Sequence, residues 1–255
     1  MGIFWFERSA IDVPEADEWL SAKERSHLGG LRFPKRREEW RLGRWTAKCS
    51  IASSLGLPGD VQTLSQIEIW PDRSGAPEAF LAHEPAHLAI SLSHRAGRAV
   101  CAVAPFEARI GCDLELIESR HPAFLSDYFA TDEQALVAHT TPDLRDFTVT
   151  LLWSGKESAL KALHLGLRLD TRSLNVCLTE SPPQARDFWL DSYPLRLLNS
   201  HSTEQEPSDV WHPFQVLFRD VPAFVGWWRN PDELVRTVVM AHPSSTFATN
   251  VEAGN

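Results

Sequence analysis

No apolar run in these 255 residues approaches the roughly 20 residues that a membrane-crossing helix needs. Met1 to Ala10 lack the basic start and apolar core of a signal peptide. Both absences lead to the expectation of a cytoplasmic protein without a membrane partner. Cysteine is sparse: Cys49, Cys101, Cys112 and Cys177, with no two within four residues of each other, so no paired zinc site is visible. A cytoplasmic chain of this size has no need of disulfides, and the four are read as buried thiols. There is no Walker loop, no G-x-S-x-G elbow, no internal repeat and no long low-complexity tract. Positive charge is also short. The chain has 25 Lys and Arg against 34 Asp and Glu, and a net charge of −9 makes it a poor non-specific nucleic-acid binder.

What is present is the composition of a soluble globular protein, 43% hydrophobic and 23% charged, long enough for one large domain or two small lobes. Strands are expected at Ile3–Glu7, Gln66–Trp70, His87–Ser91, Ala99–Ala104 and Ala108–Leu116. Pro71–Ala76 reads as a turn. Pro34 suits a first helical turn and Gly56 with Pro58 a helix end, so a helix is expected over Pro34–Leu55, with Trp45, Ile51, Ala52 and Leu55 near helical spacing. Helices follow at Pro122–Phe129, Thr131–His139 and Asp143–Leu165, with Thr131 and Gln134 as a capping box. The remainder is strand-like at Ser173–Thr179, Asp187–Asp191, Pro213–Phe218, Ala223–Trp228 and Leu234–Ala241. Asn199–Asp209 reads as a loop and the end from Pro243 as frayed. Strands and helices without strict alternation give an α+β class.

Four segments could carry chemistry. In Arg109-Ile110-Gly111-Cys112-Asp113-Leu114-Glu115, the apolar Ile110, Cys112, Leu114 and Leu116 alternate and would share one face of a strand. Gly111, Asp113 and Glu115 take the other. Two carboxylates two apart repel, which fits either a solvated face or a site for a hard cation such as Mg²⁺. In Trp153-Ser154-Gly155-Lys156-Glu157-Ser158-Ala159-Leu160-Lys161, Glu157 and Lys161 share a helix face with Ser154 beside them. That spacing is equally that of a surface Glu–Lys pair. Arg37, Arg41, Arg44 and Lys48 form one basic stripe, preceded by Arg32, Lys35 and Arg36. It is either a solvated helix face or a site for a polyanion with several phosphates. Ser93-His94 is a weaker phosphate candidate. His83-Glu84-Pro85-Ala86-His87 matches the H-E-x-x-H zinc pattern, which needs a helix; Pro85 argues against one, and the zinc reading is rejected.

Gly111-Cys112-Asp113-Leu114-Glu115 resembles the first signature of the 4′-phosphopantetheinyl transferases, and Trp153 through Lys161 resembles the second. Ser93-His94 resembles the Ser-His of the larger, surfactin-synthetase-activating members. Phe129-Ala130-Thr131-Asp132-Glu133 is similar to an F-x-x-x-E element between the signatures, and Lys35–Lys48 is similar to a basic N-terminal helix. The likeness covers Arg32 to Leu178. It implies two similar α/β lobes related by a pseudo-twofold axis, here 1–108 and 109–242 with a tail at 243–255, and a monomer with the active site between lobes.

The resemblance further implies that phosphopantetheine moves from coenzyme A to a serine of an apo acyl or peptidyl carrier protein, releasing 3′,5′-ADP. Asp113, Glu115 and Glu157 would hold Mg²⁺ or Mn²⁺, with Glu133 auxiliary. Glu157 would be the general base, and Lys161 would assist the leaving group. Arg36, Arg37, Arg41, Lys48, Ser93, His94, Asp113, Lys156 and Lys161 would contact coenzyme A. Three departures fall on coenzyme contacts: Ala76 where a Lys is usual between Gly and Pro, Arg95 where a second Ser is usual, and His164 where Gly is common. A carrier-docking patch is expected near Arg109, Arg120 and Pro122–Phe129. Other readings of the same residues are a coenzyme A-binding regulator without turnover and a metal-dependent phosphodiesterase.

Overall fold

A computed structural model describes residues 3–178, 195–197, 210–219 and 221–241. The expected segments at Asp187–Asp191 and Asn199–Asp209, and the tail, lie outside them. The architecture is mixed α+β, in four layers, helix on sheet on sheet on helix. The first sheet has the order β5 (Leu88–Arg95), β6 (Arg98–Pro105), β1 (Ile3–Ser9), β9 (Leu195–Leu197), with β9 parallel to β1 and the other pairs antiparallel. The second has the order β7 (Ile110–Leu116), β12 (Leu234–Ala241), β11 (Val221–Arg229), β10 (His212–Phe218), β8 (Leu174–Leu178), all antiparallel. A small sheet joins β2 (Ile67–Pro71), β3 (Pro77–Leu81) and β4 (Glu84–Pro85).

One long helix covers each large sheet. α2 (Pro34–Ser54) starts with Pro at its first turn, and the apolar residues Ala47, Ile51 and Ala52 pack against Cys101 and Val103 of β6. α6 (Pro142–Leu163) buries Leu152, Ala159, Leu160 and Leu163 against Val176, Phe214 and Val239. It ends on His164 in the left-handed region at φ 56°, the position where a glycine meets no Cβ penalty. The remaining helices are α1 (Ala22–Gly30), α3 (Val61–Gln66), α4 (Ala123–Tyr128) and α5 (Thr131–His139). Between the sheets lies a third core, in which Ile3, Trp5 and Val100 meet Ile110, Cys112, Leu114 and Val238. The alternation of Ile110, Cys112 and Leu114 is therefore an inter-sheet contact. Asp113 lies on the opposite face of β7, and that face is covered by α6.

Two expectations are corrected. The helix α5 is capped by Ala130, whose amide donates to Glu133 at 2.8 Å, and not by Thr131 with Gln134. The four cysteines are free thiols, but only Cys101 and Cys112 are fully buried; Cys49 and Cys177 are half-buried. The H-E-x-x-H segment is strand and turn, with His83 and His87 both at positive φ.

A repeat invisible in the sequence emerges beside the long helices. Lys48 of α2 is fully buried, 2.6 Å from Glu24, and donates to the carbonyls of Trp19 and Leu64. Glu24 in turn accepts from the amides of Ser21 and Ile69. Lys156 of α6 is fully buried, 2.7 Å from Glu133, and donates to the carbonyls of Thr171 and Leu174. Glu133 accepts from the amides of Ala130 and Val176. In both sets the Glu is in the first turn of a short helix, the Lys is on the long helix, and an amide of the next strand donates to the Glu. The Glu-to-Lys spacings of the two sets differ by a single residue, and the Glu-to-strand-amide spacings by two. A buried charge pair is tolerable only with its remaining hydrogen bonds satisfied, and each of these is.

Candidate active site where β5, β7 and α6 meet

Two edge strands, β5 and β7, lie side by side, with the Cys112 amide donating to Ser91 Oγ at 2.9 Å and Cys112 Sγ donating to the Ser91 carbonyl. α6 crosses β7 at Gly111. A Cβ there would lie 1.8 Å from the Ser158 carbonyl oxygen, so only glycine permits this approach. The close crossing sets the second signature directly over the first.

Asp113 is at the centre and 4% exposed, which removes the solvated-face reading. Its Oδ1 accepts from Ser93 Oγ at 2.9 Å and Lys161 Nζ at 2.8 Å; its Oδ2 accepts from Ser154 Oγ at 2.9 Å. Lys161 also donates to the Cys112 carbonyl at 3.0 Å. Its burial pushes the ammonium pKa down, but Asp113, Cys112 and Glu157 outweigh this and hold it above the ordinary value. Lys161 is therefore a firm cation anchored to β7, not a surface partner of Glu157 alone. Behind Asp113, Thr237 Oγ1 lies 2.9 Å from Ser154 Oγ and 2.7 Å from Ser158 Oγ, all three buried. Thr237 escaped sequence reading. Its one signal is a hydroxyl that, with Arg236, interrupts the apolar run of β12.

The other two carboxylates surround Asp113. Burial first, then the charges of Asp113 and Glu115, push the Glu157 carboxyl up to about 7, with Lys161 opposing. Glu115 is also raised, by burial and by Asp113, against Arg120, Arg95 and Lys161. Asp113 raises both of the others, so the carboxylates crowd negative charge that Lys161, Arg95 and Arg120 offset only in part. Among the described residues, no group of three His, Cys, Asp or Glu is drawn together closely enough to hold an ion by itself. Mg²⁺ takes one or two carboxylates and completes its shell with phosphates and water. The donor set thus fits a hard cation completed by a phosphate substrate, not an all-protein cage.

The phosphate candidates divide. Arg36 is exposed and Arg37 half-buried, and neither has an ion pair among the described residues. Arg41 donates instead to Asp17 and to the carbonyls of Pro14 and Glu15. Arg44 lies 3.8 Å from Glu24 and over Trp40. Lys48 and Lys156 are fully buried in their glutamate pairs, which leaves them no face toward a substrate. Glu133 is likewise committed to Lys156 and two amides, away from the auxiliary metal position. The cause is geometric: a stripe at i, i+4, i+7, i+11 is also the spacing of a core-facing stripe. His94 is the penultimate residue of β5; partial desolvation holds it below its ordinary value, Glu39 opposing and Lys161 adding. Arg120, expected on a free docking patch, is instead 3.3 Å from Glu115 and 3.2 Å from Glu118.

A cavity of about 280 Å³ opens beside Lys161, lined also by Gly75, Ala76, Pro77, Ser91 and His164. A second, of about 580 Å³, adjoins it across Pro77, Ile90 and His164 and reaches Asp72, Phe106 and Arg109. Among the described residues no helix is long and apolar enough to cross a membrane.

No curated protein matches this chain. Residues 109–214, which carry Asp113, Glu115, Glu157 and Lys161, match the family model of the 4′-phosphopantetheinyl transferase superfamily.

Proposed function

We propose that this protein transfers the 4′-phosphopantetheine group of coenzyme A to a serine hydroxyl of an apo acyl or peptidyl carrier protein, as a member of the larger, surfactin-synthetase-activating group. The observation that carries the reading is the convergence on Asp113. A metal-type carboxylate, a firm cation at Lys161 and a carboxylate titrating near neutrality at Glu157 meet at one crossing, beside a cavity. The family match over residues 109–214 supports it.

The serine oxygen forms a bond to the phosphorus that bears pantetheine, and the bond from that phosphorus to the oxygen of the 3′,5′-ADP unit breaks. The serine proton passes to Glu157, directly or through water. Lys161 stabilises the charge on the departing 3′,5′-ADP. Asp113, Glu115 and Glu157 would hold Mg²⁺ or Mn²⁺ together with the diphosphate. When bound, the cation supplies charge neutralisation to phosphoryl transfer. Arg36, Arg37 and His94 remain as contacts for the phosphates of coenzyme A. Two similar lobes in a cytoplasmic monomer complete the reading, and the twin buried Lys–Glu sets support the lobe relationship.

The test is mass spectrometry of several apo carrier proteins after incubation with the protein, coenzyme A and Mg²⁺. The expected result is a mass gain equal to phosphopantetheine, lost in Glu157→Gln and on chelation. Cleavage of coenzyme A without a carrier would instead indicate a phosphodiesterase.

A further inference from the structure

Four charged side chains from two segments form a ring at the edge of the site. Arg120 spreads its guanidinium between two carboxylates, Nη2 at 3.3 Å from Glu115 Oε2 and Nη1 at 3.2 Å from Glu118 Oε1. Arg95, from the end of β5, repeats the arrangement: Nη2 lies 2.7 Å from Glu118 Oε1 and Nε 3.8 Å from Glu115 Oε2. The Arg120 plane lies over Phe124, 5.4 Å from the ring centroid, which limits its swing. Both arginines address the same oxygen of Glu115. Among the described residues no hydrogen bond reaches its other oxygen, Oε1. Glu115 is thus held by one oxygen with the second left for another ligand.

We propose that Arg120, assisted by Arg95 and fixed by Glu118, is a positioning residue that orients Glu115 for a divalent cation. This rests on the reading of Asp113, Glu115 and Glu157 as the cation's carboxylates. Unlike a cation placed at random near a metal site, Arg120 carries its own counter-charge in Glu118. The ring contributes orientation at little cost in repulsion. A ligating carboxylate is usually held by hydrogen bonds to its remaining lone pairs, and loss of such a partner lowers metal affinity by about 10–100-fold. The ring also gives a role to Arg95, which stands where the resembled family usually has serine. It assigns Arg120 to the metal's carboxylate in place of a carrier surface.

Charge and orientation predict opposite signs, which makes the proposal testable. Removing a positive charge should strengthen cation binding if repulsion governs, and weaken it if orientation governs. The experiment titrates the full-length protein with Mn²⁺ in the presence of coenzyme A, following the free aquo ion by electron paramagnetic resonance. Wild type, Arg120→Gln and Arg120→Lys are compared, with coenzyme A binding in the absence of metal and the melting temperature as further readouts. Arg120→Lys keeps the charge and most of the bulk but cannot bridge two carboxylates with a planar fork.

The expected result is Mn²⁺ binding weakened about 10–100-fold in Arg120→Gln and weakened to a smaller degree in Arg120→Lys. Metal-free coenzyme A affinity should be unchanged in both. Wild-type Mn²⁺ binding with unchanged or tighter binding in the variants would overturn the positioning role alone. No Mn²⁺ uptake by wild type would overturn both this role and the cation reading beneath it. Should Arg120→Gln fail to fold, Arg120→Lys decides the question.

Discussion

Glu7 of β1 and Arg236 of β12 form a two-point ion pair that ties the two sheets together across 229 residues of chain. Arg236 Nε lies 2.8 Å from Glu7 Oε2 and Nη2 lies 2.7 Å from Oε1. Arg98 and Arg229 flank the same carboxylate, and Asp232 takes the other edge of Arg236. Burial alone would raise the Glu7 pKa, but the hydrogen bonds and charge of Arg236, with Arg229 and Arg98, hold it below the ordinary value.

A depressed carboxylate stabilises the fold fully above its unfolded pKa and loses that contribution as pH falls through its folded value. Glu7→Gln should therefore cost about 3 kcal/mol at neutral pH, as expected for breaking a buried pair. The gap from wild type should close progressively below pH 4.5, the ordinary value for this group. Urea unfolding of both proteins across that range checks it. A gap that stayed constant with pH would show that the loss is one of packing.

Glu157 predicts the reverse sign. Its carboxyl is raised from 4.5 to about 7, so the metal-free folded protein holds a proton that the unfolded chain has lost. Stability should fall as pH rises from 4.5 to 7, and Glu157→Gln should remove the Glu157 share of that slope, leaving the share of Glu115. In metal-free buffer the variant should be more stable than wild type at pH 8 by about 3 kcal/mol, and equal to it near pH 4.5. Thermal melts in chelator at the two pH values read this directly. A variant less stable at pH 8 would overturn it.

Lys156 and Glu133 should behave as one unit. Lys156→Met leaves a buried carboxylate with two amide donors and no counter-charge, at a cost of about 3–5 kcal/mol. Adding Glu133→Gln should recover a large part of that loss, giving a strongly non-additive double-mutant cycle. The same cycle on Lys48 and Glu24 should give a smaller coupling, since Arg44, 3.8 Å from Glu24, leaves that carboxylate a second cation. Additivity within about 0.5 kcal/mol would mean that the pair members act independently.

Two glycines on the long helices' contacts make an opposed pair. Gly111→Ala places a methyl against the Ser158 carbonyl and the Ala162 amide, backbone atoms that cannot rotate away. The expected loss is at the upper end of about 1–3 kcal/mol, together with weaker metal binding, since α6 must lift from β7. Gly43 in α2 has nothing within 4 Å of a built Cβ, and Gly43→Ala should stabilise by about 0.5–1 kcal/mol through helix propensity. Denaturant midpoints of the two variants should move in opposite directions.

Much of the fold was legible because it rests on local period. β12 has the expected bounds, Leu234–Ala241, and α2 and α6 end within two residues of theirs. α1 was missed because Ala22–Gly30 buries only Glu24 and Leu28, leaving no apolar stripe to detect. β3 was missed because it opens on a proline and buries Ala79 alone. The basic stripe misled for a different reason: spacing shows which residues share a face, not whether that face meets solvent or core. Arg37 and Lys48 look equivalent in the sequence, and burial separates them.

The sequence by itself determined that Asp113 and Glu115 alternate with a buried apolar row, and that Glu157 and Lys161 share a helix face. These follow from the repeat of strand and helix, set by backbone geometry within a few residues. Only the tertiary structure decided that Lys161 reaches Asp113, 48 residues away, and that Arg120 turns inward to Glu115. It also decided that Lys48 and Lys156 are buried partners of glutamates. Those contacts depend on how closely α6 approaches β7 over Gly111 and on how two apolar sheet faces close on each other. Packing of surfaces far apart in the chain leaves no periodic trace in the sequence that produces it.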